Sequence, residues 1–426
     1  MAKSARSSKA AKGADAAAEG GLLGGGGVGV GASGGGVAGR KGAVAGGGVE
    51  VPALKRLGEI IGQRQAVGVL RSSVETGRVH HAWIFSGPRG VGKFTTARAF
   101  ALELLTRTEG SGGAGDAGGA GSMSPEQCDE IAGLIAGGRH GDVHVVCKEL
   151  AAVSREKTVR DSKQTTIAKA VIEEFLLEPA VRTRSMSQLP QGLRGKVFII
   201  DEAELMDIAT QNQVLKTLEE PAQGTVIILV TSDEAGLLPT VRSRCQRVAF
   251  GALGEREMQE WMHASGIELD PEQSPWLLRF AGGSPGGAML ALKNGLYAWH
   301  TALEPLLQAI DRGQGASVAG KLGTVMTKLV EERAAEVVSD NPDASKAIAN
   351  RFWTDRMLSL LGERARGQLR RGPDRAAMSR AVLMIELVRQ AEVQVDRNVQ
   401  FSAAFDNLAA QMLSPSRVVR AMMGVE

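Results

Sequence analysis

The sequence predicts an α/β domain built on a parallel sheet and followed by helical domains, and three observations lead there. HAWIFSG (81–87) is a short aromatic and β-branched run that ends in glycine, and KFTTARAFALELL behind it has the composition of a helix. KVFIIDEAE (196–204) and GTVIILVTSD (224–233) contain apolar runs that do not alternate, as parallel strands covered on both faces require. After about residue 250 the strand patterns stop and helical periodicity takes over. A three-layer α/β domain followed by one or two all-helical domains satisfies all three.

Taken in order, residues 1–48 are basic at MAKSARSSKAAKG and then glycine-dominated, which predicts a tail. A glycine tract is a poor apolar core for a secretory signal, because it buries little surface and resists helix formation. Apolar residues recur at helical spacing from Leu54 to Val79 with a break near Gly62, and HAWIFSG then reads as a buried strand. GSGGAGDAGGAGS (110–122) predicts an exposed loop, 126–137 a short helix and DVHVVCKEL (142–150) a strand. The stretch from 155 to 195 is polar and basic on either side of a helix, TTIAKAVIEEFLL. DIATQNQVLKTLEEP is a helix halted by Pro221, lying between the two strong strands. The helical remainder breaks at AGGSPGGA (281–288), DRGQGAS (311–317) and RRGPD (370–374). The expected division is 1–48 tail, 49–250 α/β domain, 251–305 small helical domain and 306–426 second helical domain.

Composition narrows the function classes. A chain of 426 residues, 43% of them hydrophobic, is long enough for two or three cored domains. Fifty basic against forty-seven acidic residues leave a net charge of +3, so any nucleic-acid contact must be local. Arg155, Lys157, Arg160 and Lys163 are candidates for such a contact, beside the plainer reading of a solvated loop. The three cysteines, Cys128, Cys147 and Cys245, are odd in number and widely spaced, which fits a reducing cytosol. No apolar run is long enough to span a membrane.

GPRGVGKFTTA (87–97) carries the chemistry. Gly87, Pro88, Arg89, Gly90, Val91, Gly92 and Lys93 fit the phosphate-cradling pattern G-x-x-x-x-G-K, in the strand–loop–helix context that the pattern needs. The next residue should be a hydroxyl that ligates the Mg²⁺ of a nucleoside triphosphate, and it is Phe94. Thr95 lies one residue further, about 100° around the helix, so replacing that hydroxyl requires a register shift. Asp201 and Glu202, at the end of KVFII, suit the metal shell and the orientation of an attacking water. Thr231 and Ser232, at the next strand end, are candidate sensors of a terminal phosphate. LLPTVRSRCQRVAF concentrates arginines that are either a solvated basic loop or a finger offered to a neighbouring nucleotide.

With these pieces the chain resembles the bacterial clamp-loader subunits of the AAA+ class, the gamma/tau and delta-prime group of DNA polymerase III. The resembling stretches are EIIGQRQAVGVLRSSVETGRVHHAWIFSGPRGVGK, KVFIIDEAELMDIATQNQVLKTLEEP, and LLPTVRSRCQ with GSPGGAM, within about 56–290; Ser243–Arg244–Cys245 is the most specific. The resemblance implies an AAA+ P-loop domain, a helical lid and a helical collar. It gives Lys93 to phosphates, Asp201 and Glu202 to the second nucleotide motif, and Arg244 to a finger acting in trans. Implied partners are gamma/tau and delta subunits in a hetero-oligomer, the sliding clamp and primer-template DNA in the cytoplasm, with no membrane.

Departures from the family pattern choose among its members. The family's four-cysteine zinc module is reduced here to Cys128, with His140 and His144 nearby at unsuitable spacing, so no zinc site is expected. The position of the lid arginine that reads the γ-phosphate is Gly286. Phe94 and Gly286 together favour a delta-prime stator with weak or absent ATPase activity over the gamma/tau motor, and a length without a long C-terminal extension agrees. ATP or ADP binding is expected to be weak or structural, and Mg²⁺ is left open. The alternatives are an ATP-hydrolysing gamma/tau-type or other AAA+ motor, and a nucleotide-regulated adaptor outside replication.

Overall fold

The computed structural model describes residues 53–106, 123–162, 165–181, 195–222, 224–340, 345–370 and 375–413. The predicted tail at 1–48, the glycine patch at 110–122, Lys163 and most of the RRGPD break lie outside these residues.

Five strands, β1 (Ala82–Ser86), β2 (Val143–Val146), β3 (Lys196–Ile200), β4 (Thr225–Thr231) and β5 (Gln246–Ala249), form one sheet in the order β2-β3-β4-β1-β5. Every neighbouring pair is parallel, so each return to the sheet needs a crossover segment. The strands alternate between two apolar layers. Trp83, Phe85, Val197, Ile199, Ile228 and Val230 enter one buried cluster, whereas Ala82, Ile84, Phe198, Ile200, Ile227 and Leu229 enter the other. Both faces are therefore covered, which is why the strand sequences show no polar alternation.

The helices of this half are α1 (Arg64–Glu75), α2 (Lys93–Thr106), α3 (Pro125–Ala136), α4 (Lys157–Arg160), α5 (Lys169–Ile172), α6 (Glu178–Val181), α7 (Ile208–Glu219) and α8 (Pro239–Arg242). The predicted helix at 165–177 starts later and runs on through a π turn, Glu173–Leu177, into α6. Asp207 caps α7 by accepting a hydrogen bond from the Thr210 amide at 2.7 Å, and the helix stops just before Pro221. The long helical signal over 54–79 resolves into a 3-10 turn, Leu57–Glu59, and α1, separated at Gly62 with φ +76°.

The second half is helical among the described residues: α9 (Glu255–Ala264), α10 (Gln273–Ala281), α11 (Pro285–Lys293), α12 (Leu296–Asp311), α13 (Ala316–Asp340), α14 (Lys346–Arg370), α15 (Arg375–Asp396) and α16 (Phe401–Leu413). One buried cluster runs from Leu253 through Trp276, Trp299 and Trp353 to Phe405. The boundary expected at 305/306 falls inside α12. In register, Ser86 pairs with Thr231 and Ile200 with Leu229, which brings the carboxyl ends of β1, β3 and β4 to one edge of the sheet. Ligands of open α/β sheets bind at that edge.

Candidate nucleotide site

The loop after β1 turns sharply because three of its glycines have positive φ: Gly87 at +148°, Gly90 at +73° and Gly92 at +101°. At Gly87 an added Cβ would lie 2.1 Å from the Phe250 carbonyl oxygen, so the close approach of backbone requires glycine there. Lys93, only 6% exposed, starts α2 and donates to the carbonyls of Gly87 at 2.7 Å and Pro88 at 2.6 Å. Burial pulls its ammonium below the usual lysine range; Glu204 and Asp201 oppose that shift, and Arg89 adds to it.

The acidic edge faces this loop. Burial raises the Asp201 carboxyl to about 6, with Glu202 adding to the shift and the Glu202 amide opposing it. Glu202 stands in the left-handed region at φ 51°, and its carboxylate is paired with Lys148 on one oxygen and with Arg89 at 3.3 Å on the other. Arg89 also reaches Glu204 at 3.9 Å and donates to Ser232 Oγ at 3.3 Å. Glu204 accepts from the Ser232 amide at 3.2 Å and from the Ser232 hydroxyl. Desolvation pushes Glu204 upward, but the hydrogen bonds from Ser232 help to hold it below the usual carboxylate range.

The predicted residues Gly87 through Lys93, Asp201 and Glu202 thus converge on one site. Thr231 is buried at the end of β4, where its hydroxyl accepts from the Asp233 amide at 3.1 Å, and Ser232 is the neighbour that meets Arg89. Thr95 is half-buried in the first turn of α2, while the Thr96 hydroxyl donates to the Gly92 carbonyl at 2.9 Å. The Phe94 ring packs against the apolar cluster beneath the loop, with the Arg98 guanidinium 5.9 Å from its centroid. Sequence reasoning missed Glu204, Lys148 and Ser284. For Glu204 the signal was the third acid of DEAE, and for Lys148 it was the position just past the β2 strand.

The helical half closes over the loop. The Gly286 amide, in the first turn of α11, donates to the Gly90 carbonyl at 2.8 Å, and the Ser284 hydroxyl donates to the Arg89 carbonyl at 3.0 Å. A Cβ on Gly286 would lie 2.8 Å from Gly90 Cα, and one on Gly90 would lie 2.4 Å from Ser284 Oγ. Arg244 is elsewhere. It precedes β5, whose Gln246 pairs with Trp83 at the amino end of β1, about 10 Å along the strand from the loop. There Arg244 Nη2 is 2.6 Å from Glu219 and Nη1 donates to the Thr240 carbonyl at 2.9 Å.

A nucleotide-borne Mg²⁺ needs oxygen ligands, and the residues present do not fit one well. Phe94 offers no oxygen, and both oxygens of Glu202 are engaged by cations. Among the described residues no group of three or more His, Cys, Asp or Glu could hold a metal ion. His144 stacks on Phe198 at 4.8 Å between centroids, and the His140 ring accepts from the Asp142 amide. Of the basic candidates, Arg155 pairs with Glu174 and Glu178, Arg160 donates to the Ser154 and Arg155 carbonyls, and Lys157 is exposed. No helix among the described residues is long and apolar enough to cross a membrane.

Parallel sheet, phosphate loop, acidic strand end and covering helices define a P-loop α/β domain followed by a helical region. The family model described as "DNA polymerase III, delta subunit" matches residues 62–254. DNA polymerase III subunit gamma/tau of Mycobacterium tuberculosis H37Rv is 30% identical over 238 residues, 55% of this chain and 36% of the relative. DNA polymerase III subunit delta' of Pseudomonas aeruginosa is 30% identical over 207 residues, 48% of this chain and 53% of the relative. The chain thus spans about a third to a half of these relatives' own lengths. A gamma subunit-related protein of Thermotoga maritima overlays with a TM-score of 0.34 at 15% identity, covering 82% of this chain and 98% of that one, too loosely to add weight. Over about half its length the chain is thus similar to the gamma/tau and delta' subunits of DNA polymerase III.

Proposed function

We propose that this chain is a delta-prime-type clamp-loader subunit, weak or inactive as an ATPase itself, that offers Arg244 to the nucleotide of a neighbouring gamma/tau subunit. The reading rests above all on Phe94, whose ring is part of the apolar packing under the loop, so a position suited to a metal-binding hydroxyl serves the core. Gly286 supports it: a backbone amide bonded to Gly90 stands where the family's lid arginine would be. Loop amides and Lys93 still offer donors to phosphates, so ATP or ADP binds weakly or structurally. In the loader the chain acts in the cytoplasm with gamma/tau and delta subunits, the sliding clamp and primed DNA.

Arg244 acts in trans on this reading, because it lies at the far end of β1 and β5 from the chain's own loop. Its bond to Glu219 holds the guanidinium at the surface until a neighbour's phosphates compete for it. The test is reconstitution with gamma/tau and delta. Arg244→Ala is expected to lower clamp-stimulated ATPase of the complex about 10³-fold or more, within the range known for arginine fingers. Unchanged turnover in the mutant complex, or robust Mg²⁺-dependent turnover by the isolated chain that Lys93→Ala abolishes, would refute the reading.

A further inference from the structure

Four carboxylates, Glu149, Asp201, Glu202 and Glu204, meet three cations, Lys93, Arg89 and Lys148, at the carboxyl edge of the sheet. None of those cations is on the acidic strand, and Lys93 starts α2. Arg89 comes from the phosphate loop, and Lys148 follows β2, whose Val146 pairs with Ile200 immediately before Asp201. Between them they take both oxygens of Glu202. A left-handed backbone is unfavourable for a non-glycine residue and persists where its surroundings hold it, and this double pairing is such a hold.

We infer that Arg89 and Lys148 are resident counter-cations of this site, neutralising the acidic strand end that a divalent metal neutralises in hydrolysing P-loop proteins. The assignment rests on the reading of a hydrolysis-weak subunit and explains how the acidic motif persists there. Carboxylates gathered at one edge repel one another, so without a metal a fixed positive partner has to be supplied by the chain. Arg89 is suited to that role because its fork spans Glu202, Glu204 and Ser232 at once, linking the loop to the ends of β3 and β4. Lys148 fixes the opposite side of Glu202. Mg²⁺ and this pair of cations therefore compete for the same carboxylates.

The experiment uses the isolated full chain and MgCl₂ alone, without nucleotide or partner, so its outcome is separate from that of the Arg244 reconstitution. Wild type is expected to show no saturable Mg²⁺ binding by calorimetry and no rise in melting temperature with MgCl₂. Arg89→Ala combined with Lys148→Ala is expected to bind Mg²⁺ at least about tenfold more tightly and to melt higher as MgCl₂ is added. Adding Asp201→Asn should abolish that gain. Volume-conserving Arg89→Gln with Lys148→Gln gives the same comparison if the alanines unfold the site. Equal Mg²⁺ affinity in wild type and variant, or a folded variant that gains none, overturns the assignment.

Discussion

Asp201 shows how a side chain that nominates itself by motif acquires its properties from its neighbours. Its position at the end of an apolar strand is legible in KVFIID, and so are Gly87 through Lys93, because both signals are local in sequence. Its elevated pKa is not legible, since that comes from burial and from Glu202 held beside it. The shift has a defined consequence for stability. A carboxyl raised from 3.8 to about 6 on folding contributes stability below pH 4 that is lost as pH rises through 6. The difference corresponds to about 3 kcal/mol, so Asp201→Asn is expected to flatten the decline between pH 4 and 6 and to stabilise the chain at pH 8 by about 1–3 kcal/mol. Urea denaturation at pH 4.5 and 8 measures this; a variant no more stable than wild type at pH 8 sinks it. Phe94 was legible only as an absence of oxygen, and its ring's place in the core depends on how α2 packs on the sheet. For Lys148 the sequence showed only a position just past a strand; the pairing of Val146 with Ile200 is what brings it to Glu202.

Elements were readable where they are buried and ambiguous where they are not. β1, β3 and β4 lie in the middle of the sheet and announce themselves as apolar runs, whereas β5 is an edge strand of sequence QRVA with only Val248 buried. The sequence around it reads as a basic loop for that reason. The AGGSPGGA break was visible between α10 and α11, but not that the break docks on the phosphate loop. Gly90 and Gly286 face each other across that contact, and neither has room for a Cβ. Gly286→Ala should therefore destabilise the chain by about 1–3 kcal/mol through overpacking, and Gly286→Arg should part α11 from the loop. Hydrogen exchange at the Gly286 amide, now bonded to Gly90, is expected to accelerate in Gly286→Arg. Protection equal to that of wild type would show that the contact tolerates a side chain after all.

At the scale of the whole molecule, two cores of different kind share one chain: a sheet covered on both faces, and a helical cluster whose described members extend from Leu253 to Ala409. The helical half carries a polar tie as well as apolar packing. Arg364 of α14, with a side chain only 11% exposed, bonds Glu304 at 2.8 Å and Asp311 at 2.8 Å, both on α12. Desolvation lowers the Arg364 pKa, but those two carboxylates outweigh it and hold the guanidinium charged. Gln368 adds a bond to Asp311 at 3.2 Å, and Arg380 of α15 approaches the same carboxylate at 3.7 Å. Removing Arg364 alone leaves Glu304 without its main partner and Asp311 with only Gln368 and the more distant Arg380, so Arg364→Ala is expected to cost about 2–3 kcal/mol, the lower part of what breaking a buried pair usually costs. Four of the five tryptophans, Trp261, Trp276, Trp299 and Trp353, belong to the helical half, so fluorescence follows its unfolding. The fluorescence midpoint in urea should fall in Arg364→Ala, while amide exchange in β1, β3 and β4 stays as in wild type. An equal loss of protection in those strands would mean that the two cores unfold as one unit, and that the tie acts on the whole chain instead of on its helical half.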